Sequence, residues 1–118
     1  MILADTSVWM DHFRHGSDRL AELLDINEVY CHPFVIGELA CGNLKKRDVV
    51  LSLLNELPRA RLADHNEILR FIDIQHLYGR GLGWIDVHLL SSALLTGCGL
   101  WTLDKPLMAA AEKLNIAG

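Results

Sequence analysis

No apolar run in this chain approaches the roughly 20 residues that a membrane-spanning helix needs. The opening Met1-Ile2-Leu3-Ala4-Asp5 has no basic region ahead of its short apolar stretch, so no secretory leader is expected. Cysteine is scarce. Cys31, Cys41 and Cys98 are odd in number and lack Cys-x-x-Cys spacing, which excludes a disulfide framework and points to reduced thiols in a cytoplasmic protein. No Cys/His pair has zinc-finger spacing. Positive charge is in deficit, 11 Lys and Arg against 15 Asp and Glu, for a net charge of −4. A protein that coats nucleic acid by charge alone is excluded, but not an enzyme that grips nucleic acid through metal ions. Repeats, low-complexity tracts and linkers are missing, and the 3 prolines and 9 glycines are scattered as punctuation. Together these features predict one domain over residues 1–118.

What is present is apolar. Hydrophobic residues make up 51%, charged residues 22%, and the mean hydropathy is +0.21, so wholesale disorder is excluded. Ile2-Leu3-Ala4 reads as a short buried strand, followed by a helix through Val8-Trp9-Met10 that Thr6 or Ser7 can cap. Leu20, Leu23 and Leu24 form a helical stripe, Glu28-Val29-Tyr30-Cys31 a second strand, and Pro33 opens a helix through Leu39. Helix resumes over Val49–Leu57. Arg61-Leu62-Ala63 reads as a weak third strand, and Asp64 caps a helix carrying Ile68 and Ile72. After a glycine-rich loop at 79–83 come a helix over Trp84–Leu95, a fourth strand at Leu100–Leu103, a helix from Pro106 to Leu114, and a strand stub at Asn115–Ala117. Short strands alternating with helices predict an α/β fold, a parallel sheet with helices on both faces. In such sheets sites lie beyond the carboxyl ends of the strands.

Four acids stand where apolar residues are expected. Asp5 ends the first strand, and Asp104 follows the fourth, though each is also placed to cap a helix. Glu38 shares a helical face with Phe34 and Cys41, which predicts a buried carboxylate, and burial is costly without an arginine or a metal as partner. Asp86 heads the stripe Asp86, Leu89, Leu90, Ala93, Leu94, and as a first-turn acid it also complements the helix dipole. Two strand ends and two neighbouring helices thus deliver one carboxylate each to the same rim. Oxygen-only ligands select Mg²⁺ or Mn²⁺ over zinc or copper. Carboxylates around such an ion at a sheet's carboxyl edge suit phosphodiester hydrolysis. Thr6, Ser7 and Thr102 are placed to hydrogen-bond the carboxylates from behind.

The blocks Leu3–Trp9, His32–Leu39, Gly83–Leu90 and Leu100–Lys105 resemble the characteristic blocks of PIN-domain ribonucleases, in the family's order. Within that family they are most similar to VapC-type toxins of bacterial toxin–antitoxin pairs. The resemblance implies a three-layer α/β/α sandwich with strand order 3-2-1-4-5. It also implies a Mg²⁺- or Mn²⁺-dependent endoribonuclease, a homodimer, and a small antitoxin that covers the site. Asp5, Glu38, Asp86 and Asp104 match the family's metal-binding and catalytic acids, and all four are intact.

Other residues carry weaker signals. Lys45-Lys46-Arg47 is the one basic run, either a solvated helix face or a contact to RNA phosphate. Arg80, in the glycine-rich loop before Asp86, is a further candidate RNA contact. His32 and His88 read as core or capping histidines. Trp9, Trp84 and Trp101 flank the acidic motifs and read as core, with base stacking as the alternative. Three other functions use a similar rim. An aspartyl-phosphate phosphatase wants a second acid two residues after Asp5, where Ser7 stands, and a receiver-type signalling domain wants adjacent acids at the end of the first strand, where Ala4 precedes Asp5. A PIN-like module that binds RNA without cutting has no need of four intact acids.

Overall fold

The computed structural model describes residues 1–118. Its sheet is parallel and short, with β1 (Ile2–Ala4) between β2 (Val29–Tyr30) and β3 (Gly99–Trp101). Ile2 pairs with Val29 on one side and Gly99 on the other, and Ala4 reaches Trp101. Residues Ile2, Leu3 and Ala4 are all buried, as a central parallel strand covered on both faces requires.

The chain order is β1, α1 (Thr6–His15), α2 (Asp18–Asp25), β2, α3 (Pro33–Cys41), α4 (Arg47–Glu56), α5 (His65–Ile74), α6 (Trp84–Thr96), β3 and α7 (Lys105–Lys113). The helices group as α1 with α3 and α3 with α4, and as α5 with α6 and α6 with α7. One apolar cluster of 22 buried residues joins strands and helices, with Leu3, Leu20, Val29, Val35, Leu39, Ile68, Leu90, Leu100 and Leu107 fully enclosed. Each such side chain contributes about 1.5–3 kcal/mol by leaving water. Helix α6 is buried on nearly every side from Val87 to Ala93, so it is the central helix of its group.

Only the third strand is displaced from its expected position. The third reduces to one bridge, Cys31 to Arg59, two residues before the predicted Arg61-Leu62-Ala63. Here the Cys31 amide donates to Pro58 O (2.8 Å) and the Ala60 amide to Cys31 O (3.0 Å). Pro58 has no amide of its own to extend a ladder, and Arg61 and Leu62 are exposed rather than packed. The fifth is likewise a single bridge, Leu100 to Ala117. Counting the bridges as strands, the spatial order is the expected 3-2-1-4-5. Successive connections from β1 leave in opposite directions, so the carboxyl end of β1 is the switch point where α/β sheets place their sites.

Candidate active site at the carboxyl edge of the sheet

Asp5 is the first residue beyond β1, and only 5% of its surface is exposed. Its backbone amide donates to Trp101 O (3.0 Å), which ties it to β3. Of the candidates Asp5, Thr6 and Ser7, it is Asp5 that caps α1, its Oδ1 accepting from the Val8 amide (3.2 Å). The two hydroxyls instead serve the acids. Ser7 Oγ donates to Asp5 Oδ1 (2.5 Å), and Thr102 Oγ1 donates to Asp5 Oδ2 (2.5 Å). Both hydroxyls also accept backbone amides of the β3–α7 connection, Ser7 from Leu103 (2.9 Å) and Thr102 from Asp104 (3.0 Å). Both oxygens of the Asp5 carboxylate are thereby held. Thr6 turns the other way and donates to Glu38 Oε1 (2.8 Å).

Asp86 and Asp104 also occupy helix N-termini. Asp86 Oδ2 reaches back to the Gly83 amide (2.9 Å), and Asp104 Oδ2 accepts from the Leu107 amide (3.1 Å). Capping uses one oxygen of each and leaves the second without a hydrogen bond, so the structural role does not exhaust either carboxylate. Asp86 is half-buried. Burial raises its pKa above the usual carboxylate range, the Gly83 amide opposes this, and the charges of Asp104, Asp5 and Glu38 raise it further. That Asp86 senses all three places the four acids in one electrostatic neighbourhood.

Glu38 differs from expectation. It is exposed, as is Phe34 one turn before it, because this side of α3 faces the rim rather than the core. Its carboxylate therefore carries no large burial cost and has no arginine partner. Indeed the two ion pairs of the molecule, Met1 with Glu28 and Arg47 with Asp48, involve none of the four acids. No three His, Cys, Asp or Glu side chains close to the spacing that encloses a metal ion. The acids share a neighbourhood without closing on one point, and Glu38 and Asp104 are exposed. By chemistry the set fits a hard divalent cation, since all four donors are carboxylate oxygen and no protein cation neutralises them.

The basic candidates are all exposed. Lys45 and Lys46 sit in the turn before α4, not on a helix face, with Lys46 in a left-handed conformation (φ 51°). Arg47 opens α4 and donates to Ala40 O (3.0 Å). Arg80 is exposed, its Nε bonded to His76 O (2.7 Å) within its own turn. His32 and His88 are buried as expected, and His32 caps α3 through Nδ1, which accepts from the Phe34 amide (3.0 Å). Burial lowers the pKa of both. Trp9 is core and Trp101 is half-buried beneath Arg19, whose guanidinium stacks 4.2 Å above the ring. Trp84 is not core. It is 39% exposed, and residue type alone could not signal that the first residue of α6 faces outward.

A parallel α/β sheet whose central strand ends in a clamped aspartate, with three further acids around it, defines a hydrolase-like acidic rim rather than a nucleotide cradle or a thiol site. The chain belongs to the PIN-domain family, whose model (PIN domain) matches residues 2–113. It is 51% identical to Ribonuclease VapC32 of Mycobacterium tuberculosis, in strains H37Rv and CDC 1551 alike, across 99% of this chain and 95% of that protein. Among solved structures it resembles that of PAE2754 from Pyrobaculum aerophilum, with a TM-score of 0.61 and 18% identity over 96% of this chain and 85% of the other. That likeness carries the fold alone.

Proposed function

We propose that this protein is a metal-dependent endoribonuclease that acts as the toxin of a toxin–antitoxin pair, a single-domain enzyme working in the cytoplasm. The observation that carries the reading is the gathering of Asp5, Glu38, Asp86 and Asp104 at the switch point with no protein cation among them. The likeness to Ribonuclease VapC32 supports it. Asp5, Asp86 and Asp104 would hold Mg²⁺ or Mn²⁺, with Glu38 completing the set. When bound, the cation polarises the phosphate and lowers the pKa of water.

The chain's own residues do the rest. Asp5 is fixed by Ser7 and Thr102, so its oxygens need no reorganisation. Glu38 keeps one carboxylate oxygen free while Thr6 holds the other, which suits it to orient the attacking water and accept its proton. Lys45, Lys46, Arg47 and Arg80 are exposed cations available to RNA phosphates. A cognate small antitoxin would silence the site by setting an arginine or lysine among the acids. Exposed Leu69 and Ile74 on α5 and Leu94 and Leu95 on α6 supply the apolar surface of a homodimer.

Incubation of a mixed RNA pool tests the reading. The parent protein should cleave it with Mn²⁺ or Mg²⁺ and stop in chelator. Asp5→Asn, with an unchanged circular dichroism spectrum, should cleave about 100-fold more slowly or not at all. Cleavage that persists in chelator, or full activity in folded Asp5→Asn, contradicts it.

A further inference from the structure

Four rings run across the rim in a ladder: His65 of α5, Trp84 and His88 of α6, and Phe34 of α3. Successive centroids are 5.0, 4.8 and 4.7 Å apart. The chain has only 8 aromatic residues (3 Phe, 3 Trp, 2 Tyr), and two of the four that stand exposed, Phe34 at 38% and Trp84 at 39%, belong to this ladder. Between them His88 is buried to 5% exposure and braces both rings in T-shaped packing, with interplanar angles of 68° and 75°. Two exposed flat rings are therefore packed against one buried imidazole.

The ladder adjoins the acids. Phe34 lies one turn before Glu38 on the same exposed side of α3, about 6 Å along the helix axis. Trp84 opens the helix turn that carries Asp86, whose carboxylate bonds the residue just before Trp84. A polymer whose phosphate sits at the acids has its neighbouring bases within reach of these rings.

We propose that Trp84 and Phe34 form a stacking platform for an unpaired nucleobase of the RNA, next to the bond that is cut. The proposal rests on the endoribonuclease reading and adds to it two named rings that hold a base beside the reacting phosphate. Flat π-faces suit a base of any identity, so the platform selects unpaired over paired nucleotides rather than one sequence. A second copy of this chain is the poorer occupant. A symmetric contact through this face would bring the two acid clusters towards each other, like charge against like.

The test compares Trp84→Leu, Trp84→Phe and Phe34→Leu with the parent, by steady-state cleavage of a labelled single-stranded RNA in Mn²⁺. A matched RNA set carries one abasic position moved along the strand. Leucine keeps apolar bulk and helix propensity but removes the π-face. Trp84→Leu should raise KM by about 5- to 100-fold with kcat nearly unchanged, and Trp84→Phe should restore most of the loss. Phe34→Leu should shift KM in the same direction, which keeps the test open should Trp84→Leu fold poorly. One abasic position beside the cleaved bond should slow the parent but not Trp84→Leu further. The platform is overturned if the folded leucine variants keep the parent KM, or if every abasic position affects parent and variant alike. It is equally overturned if Trp84→Leu merely changes the sedimentation mass, which would assign the face to self-association. In all these outcomes the parent still cuts RNA and the endoribonuclease reading stands. A parent that neither binds nor cuts RNA overturns both.

Discussion

At the scale of single residues, buried polar side chains at the rim cap helices and are themselves fixed or enclosed by their neighbours. Asp5 caps α1 with one oxygen, while two hydroxyls fix its carboxylate from opposite sides. His32 is a second case. It caps α3 through Nδ1, and its Nε2 is buried without a partner. Burial first, then the positive charges of His88 and Arg59, push its pKa from 6.5 down to about 4. The folded state therefore binds fewer protons than the unfolded one between those values, so stability is full above pH 6.5 and falls as pH drops towards 4. The expected loss is about 2–3 kcal/mol on going from neutral pH to about pH 4.5. Asparagine caps helices as well as any residue but does not titrate. His32→Asn should be less stable at neutral pH, because the ring packing against Phe34 and His88 is lost, yet its stability should fall much less on acidification. Urea unfolding at several pH values measures both slopes. Parallel slopes for parent and variant would show that His32 is not the titrating group.

At the scale of elements, three of the four acids stand at helix N-termini: Asp5 at α1, Asp86 at α6 and Asp104 at α7. Each terminus carries about half a positive charge from the aligned peptide dipoles, which offsets part of the repulsion among the carboxylates. This separates two effects at Asp104. Asp104→Asn keeps the acceptor for the Leu107 amide, so stability should barely change, whereas Asp104→Ala should lose about 1 kcal/mol with the cap. Under the endoribonuclease reading both should lose most RNA cleavage. Melting curves beside cleavage rates decide it, and an active Asp104→Asn would reduce Asp104 to a cap.

Much of this arrangement was legible in the residues themselves. Pro33, Asp64 and Gly83 mark helix starts, and Ile2-Leu3-Ala4 is too apolar for anything but a central strand. Of the outer strands, the fifth was legible as a stub that contains Ala117, whereas the third was misplaced, because a single bridge at Arg59 leaves no period of two to detect. Glu38 is exposed where its spacing predicts burial, for a related reason. Its apolar neighbour Phe34 lies at the rim, and sequence spacing fixes which residues share a face but not what the face meets. The ring ladder was equally hidden, since it joins three helices far apart in the chain.

At the scale of the whole molecule, the net charge is −4, and at one rim four acids share a neighbourhood with no ion-pair partner from the protein. The fold supplies the opposing stability through its single apolar cluster and the capped helices around β1. A divalent ion that binds the folded cluster and not the unfolded chain must raise the unfolding temperature, by an amount set by its concentration over Kd. At ten times Kd the gain is about 1.4 kcal/mol, a shift of about 4 °C or more for a chain of this size. Asp86 is the member to remove, because it senses the other three and because asparagine retains an acceptor for the Gly83 amide. Thermal unfolding of the parent and of Asp86→Asn, each in chelator and in Mg²⁺, is the most direct measurement. The account predicts that Asp86→Asn equals or exceeds the parent in chelator, while Mg²⁺ stabilises the parent clearly more than the variant. Equal Mg²⁺ shifts in the two proteins, or none in either, would contradict a metal site built from these four acids.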